Sequence, residues 1–168
     1  MDMPSDLYEL YPEFGITAEK AQVLEVEAGN VALRFVTLLV DTSKITPEET
    51  ELFRAISEDI NRKTFGYLVS HLKKTMDIRD SIISSVDEAL ENRNYLTHRF
   101  FRTHNFAIHS ETGRRSMLEE LNGIQKKLDL AHQILSGISL TLFQMAGRTV
   151  DQELAERLVG HGKKIDLF

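Results

Sequence analysis

The 168-residue sequence contains no cysteine and no tryptophan. Without cysteine there is no disulfide frame and no thiolate nucleophile or ligand, which agrees with a reducing, cytoplasmic setting. Proline is scarce: after Pro4 and Pro12 near the start, only Pro47 remains to punctuate the chain. Long apolar runs are missing as well. The longest, Phe35-Val36-Thr37-Leu38-Leu39-Val40, falls far short of the roughly 20 residues that cross a bilayer as a helix, and it reads as core. The first residues, Met1 to Asp6, are acidic and lack the basic-then-apolar pattern of a secretory signal. No His-Glu-x-x-His or Glu-x-x-His spacing offers a metal site, and Gly160-His161-Gly162-Lys163-Lys164 lacks the spacing of a phosphate loop. The expectation is a chain without cofactor, metal or membrane span.

What is present fits one globular helical domain. Apolar residues make up 42% and charged residues 27%, enough of each for a real core and a solvated surface. Residues 1–16 read as an N-terminal arm, 17–160 as a helical bundle and 161–168 as a tail. Thr17 is a candidate N-cap for a first helix running to about Val40, with a stripe at Ala21, Leu24, Ala28, Val31, Phe35 and Leu38 that steps by three and four. Asp41 to Ile45 reads as a connector. Thr46-Pro47-Glu48-Glu49 combines a cap, a proline at the first helical position and a capping box. It predicts a second helix to about Met76, with Gly66 marking a bend or a close helix contact.

Asp77 to Ser84 is ambiguous between loop and helix. Ser85-Val86-Asp87-Glu88 reads as another capping box, starting a third helix that runs through Phe101. Residues 103–110 read as a connector. The fourth helix carries the clearest pattern: Met117, Leu121, Ile124, Leu128, Ala131, Leu135, Ile138, Leu142 and Met145 alternate steps of four and three. Its Gly123 and Gly137 suggest close approach of a neighbouring helix, and Gly147 ends it. Thr149 to Gly160 reads as a short fifth helix. The predicted architecture is all-α, an antiparallel bundle of four main helices plus the short fifth.

Charge is distributed unevenly. The formal net charge is −6, which argues against a general nucleic-acid binder. Yet Arg93 to Arg115 holds five arginines (93, 99, 102, 114, 115) against one acid, Glu111, together with His98, His104 and His109. Such an island in an acidic body is either a footprint for phosphates or a solvated helix end. Ser84, Ser85 and Ser110 read as caps, and His71, His132 and His161 as structural or surface residues.

Within the island, Arg93-Asn94-Tyr95-Leu96-Thr97-His98 places a guanidinium, a carboxamide and an imidazole within six residues. An imidazole exchanges protons near neutral pH, and a guanidinium grips phosphate through paired hydrogen bonds. The stretch resembles the Arg-x4–6-His signature of the HEPN superfamily, small helical proteins that include RNA-cleaving toxins. Asn94 fits the polar residue that family favours after its Arg. Three Arg–His pairs match the bare spacing where roughly one is expected by chance, Arg93/His98, Arg99/His104 and Arg102/His109. Only the first combines the Asn with an aromatic two residues after the His, although Phe100 stands where several toxins carry Tyr.

The resemblance implies a metal-independent endoribonuclease, a ribonuclease of a toxin–antitoxin or phage-defence system, acting at the cleft of a homodimer. It implies catalytic roles for Arg93, Asn94 and His98. It also implies an RNA path lined by Arg99, Arg102 and His104, and an antitoxin protein as partner. Helix geometry adds its own constraint: Arg93 and His98 lie about 140° apart around a helix axis. They meet one ligand only if Arg93 reaches round or if two chains share the site. The other reading of the same residues is a non-catalytic helical module that binds protein or RNA.

Overall fold

A computed structural model describes residues 5–38 and 46–147, and the predicted fifth helix, the tail and the 41–45 connector lie outside them. The described residues are all-helical: α1 (Ser5–Leu38), α2 (Pro47–Asn61), α3 (Phe65–Thr75), α4 (Asp80–His98), the single turn α5 (Phe100–Thr103), a 3-10 turn (Ala107–His109) and α6 (Glu111–Met145).

From Ser5 on, the predicted N-terminal arm is part of the first helix. Helix α1 begins at Ser5 and carries Pro12 inside it. Pro12 removes one backbone donor, a loss tolerable on an exposed face and outweighed by tertiary packing. Leu10 is fully buried, Phe14 packs on Phe100 and Phe101, and Asp6 is bound by Arg114. Thr17 is therefore no cap. It is buried in mid-helix, donates its hydroxyl to the Glu13 carbonyl at 2.7 Å and accepts from Gln125 at 2.9 Å.

The second predicted helix is two helices. Thr46 forms the expected capping box with Glu49. The chain then breaks after Asn61, and Thr64, extended at φ −73° and ψ 154°, caps α3 by accepting from the Tyr67 N–H. Ser85 also fails as a cap: α4 starts at Asp80, and the Ser84 and Ser85 hydroxyls donate to the Asp80 and Ser81 carbonyls within it. Ser110, by contrast, caps α6 through the Gly113 N–H.

Cross-links fix helix directions. Asp6–Arg114, Thr17–Gln125, Lys20–Asp129 and Arg34 to the Ser139 carbonyl rise in register together, so α1 and α6 run parallel. Helix α4 runs antiparallel to α6, with Glu88 on Lys127 and His104, just beyond its end, on Glu120. A simple antiparallel bundle of four helices would oppose the first and the last. The unforeseen break at 62–64 adds a change of direction and alters that parity.

The core lies between α1 and α6, with α3 and α4 closing it. Leu24, Ala28 and Val31 meet Met117, Leu121, Leu128 and Leu135, all nearly inaccessible to solvent. Each such Val, Leu or Met side chain stabilises the fold by about 1.5–3 kcal/mol on burial. The predicted α6 stripe is buried from Met117 to Leu142 except at Ile138, which is half-buried while Ser139 takes the inward place, and it ends in solvent at Met145. Gly123 and Gly137 have nothing within 4 Å among the described residues, so no described helix approaches them closely. Gly113 is the demanding glycine: a Cβ there would stand 2.1 Å from the Ala107 carbonyl oxygen. Gly147 ends α6 in the left-handed region at φ +68°.

Candidate functional site

The motif occupies the last two turns of α4, and His98 is its final helical residue. The helix stops there because the backbone departs from α geometry at Arg99, which restarts the chain as α5. Leu96 and Phe100 anchor this corner in the core, so neighbouring residues are turned outward. Asn94, His98, Arg99 and Arg102 are exposed, and Arg93 is half-buried.

Arg93 does not reach round to His98. One of its Nη atoms donates to Glu25 Oε2 at 3.0 Å, and the other to Asn94 Oδ1 at 3.1 Å. The second oxygen of Glu25 accepts from the Phe65 N–H at 2.9 Å, at the start of α3. One carboxylate thus ties α1, α3 and α4 together and holds the guanidinium. Asn94 orients Arg93, not the imidazole. Among the described residues His98 makes no side-chain hydrogen bond, and neither Arg99 nor Arg102 has an ion-pair partner.

The rest of the basic stretch is used internally. Arg114 is buried, donates from Nε to Asp6 Oδ2 at 2.6 Å and from Nη1 to the Ile108 carbonyl at 3.0 Å, and so fixes the start of α1 to the 3-10 turn. That hydrogen bond holds the Asp6 carboxyl below the usual aspartate range. Arg115 pairs with Glu111 one turn away. His104 is turned inward: its Nε2 lies 2.6 Å from Glu120 Oε2 and 3.4 Å from the Tyr95 hydroxyl. Burial and the adjacent Glu120 carboxylate push the Tyr95 phenol above its ordinary range, with Thr103 opposing. His109 is exposed.

The structure therefore separates the six site residues into three groups. Arg93 and Asn94 form an anchored donor pair. His98, Arg99 and Arg102 form an exposed corner with two guanidinium groups and an imidazole. His104 belongs to a part-buried polar cluster with Tyr95 and Glu120. Glu25 and Glu120 had no local signature, because both are acids flanking apolar stripes whose partners lie far away in sequence. Among the described residues no His, Asp and Glu cluster has metal-binding geometry, and no helix is long and apolar enough to cross a membrane. Comparison with family models, with curated proteins and with solved structures finds no match.

Proposed function

We propose that this chain is a HEPN-like endoribonuclease in which His98 transfers protons and Arg93 holds the scissile phosphate. The observation that supports this most is the contrast around His98: an exposed imidazole without a side-chain partner among the described residues, flanked by arginines that also lack ion-pair partners there. In the reaction, His98 takes the proton of the RNA 2′-hydroxyl or returns one to the departing 5′-oxygen. The 2′-oxygen attacks phosphorus and the bond to the 5′-oxygen breaks, leaving a cyclic phosphate and a free hydroxyl. The RNA supplies its own nucleophile.

A guanidinium has five N–H donors, of which Glu25 and Asn94 engage two, so Arg93 retains donors for phosphate while its position is fixed. Since Arg93 and His98 point apart within one chain, the complete site is assembled by a homodimer, each protomer supplying one of the two groups. A toxin–antitoxin or phage-defence setting, with an antitoxin protein as partner, accompanies the same resemblance.

The test is incubation of purified protein with RNA in the presence of a chelator. Cleavage that persists there and disappears in His98→Ala supports the enzyme, and sedimentation at tens of micromolar should then show a dimer. A second reading, a non-catalytic interaction module, draws on the Arg93–Glu25 ion pair, which satisfies the arginine without any ligand. Tight partner binding with no cleavage selects that reading.

A further inference from the structure

Four large aromatic side chains stand exposed among the described residues, and three of them lie on two segments that Arg114 joins, the start of α1 and the turn before α6. Tyr8 is 64% exposed, Tyr11 49% and Phe106 84%. Arg114 joins the two segments that carry them, since it binds the Asp6 side chain in the first turn of α1 and the Ile108 carbonyl in the 3-10 turn, and Tyr8 and Tyr11, three residues apart, share one face of α1. The Tyr11 ring stands 6.2 Å from Phe101, which immediately precedes Arg102. The same end therefore carries the exposed Arg99 and Arg102, free of ion pairs among the described residues. Of the acids nearby, Asp6, Glu111 and Glu120 are held by Arg114, Arg115 and His104, while Glu9 and Glu119 have no such partner.

An aromatic side chain this exposed gains little from the core, and a lone one needs no explanation. Several beside unpaired guanidinium groups form a different surface. Unpaired nucleobases stack on aromatic faces while the cations beside them neutralise phosphates, a pairing that suits single strands of any sequence. A duplex hides its base faces and cannot use it.

We infer that Tyr8, Tyr11 and Phe106 form a stacking platform for unpaired bases of an RNA strand whose phosphates run past Arg99 and Arg102. The platform rests on the reading of His98 as an RNA-directed site and deepens it. It restricts the substrate to single-stranded segments and places their flanking bases on α1 and the 3-10 turn.

The probe is an unstructured 2′-O-methyl oligonucleotide, which lacks the reacting hydroxyl, with a matched duplex as control. Phe106→Ala and Tyr8→Ala should each weaken strand binding on the order of tenfold without changing its salt dependence. Arg102→Glu should weaken binding and flatten that dependence. The parent chain has no tryptophan, so emission of the Phe106→Trp variant reports this position alone. It should be quenched on strand addition, saturating together with anisotropy, and should respond little to the duplex. Unchanged affinity in both alanine variants, or unresponsive emission at saturating strand, overturns the platform. So does strand-independent dissociation of a dimer by Phe106→Ala, which would make this end a contact between copies. Aromatic-dependent binding without any cleavage removes the enzyme and keeps the platform. His98-dependent cleavage with aromatic-independent binding does the reverse.

Discussion

Arg114 and Arg102 belong to one basic stretch, and the fold uses them in opposite ways. Arg114 is buried on Asp6 and the Ile108 carbonyl, and its charge is consumed in holding the first turn of α1. Arg102 stands in solvent on α5. Arg93 lies between these extremes, anchored by Glu25 yet still part-exposed. A local excess of positive charge therefore says little about the charge offered to a ligand. Tertiary partners decide which basic side chains remain available, and among the described residues of this stretch those are His98, Arg99, Arg102 and His109.

The comparison can be broken most forcefully at Arg114. Arg114→Met leaves Asp6 without its partner and the Ile108 carbonyl without its donor, and should lower the denaturant midpoint more than any other change named here. Arg102→Met should leave that midpoint alone. Near-equal midpoints for the two variants would erase the distinction.

Glycines offer a second contrast at the same end. Gly113→Ala drives a Cβ into the Ala107 carbonyl and should cost about 1–3 kcal/mol, read by thermal or urea unfolding. Gly123→Ala on the same helix meets nothing within 4 Å and should stabilise by up to roughly 1 kcal/mol through helix propensity.

Acid titration sharpens the account of Arg114. The folded Asp6 carboxyl lies below its ordinary value, so its contribution to stability is complete above the usual aspartate pKa and disappears as pH falls through the lowered value. Asp6→Asn should flatten this part of the acid-unfolding curve and leave the neutral-pH side less stable. An acid limb unchanged in the variant would show that the pair is not coupled to folding.

The smallest effect is expected at the exposed corner. His98→Ala should change unfolding free energy by no more than about 0.5 kcal/mol, because the side chain contacts solvent and has no hydrogen-bond partner among the described residues. Its cleavage rate should nevertheless fall by roughly 10²–10⁴ if it is the proton-transfer group. A parallel loss of stability would make any activity loss uninformative.

The sequence by itself determined the helical class, the long seam of α6 and the Thr46 capping box. These follow from periodicity and capping, whose free energies are set within a few turns of chain. It also singled out the Arg93–His98 stretch, because that pattern is local. Only the tertiary structure decided that residues before Thr17 join α1, since the compensation for Pro12 comes from Arg114 and two phenylalanines nearly a hundred residues away in sequence. The parallel course of α1 and α6 was equally hidden, because Thr64 is an inconspicuous cap and one extra turn reverses parity. Pairing of Arg93 with Glu25, and of His104 with Glu120, was beyond any local reading: an ion pair is made by two distant segments meeting, and nothing in either segment names the other.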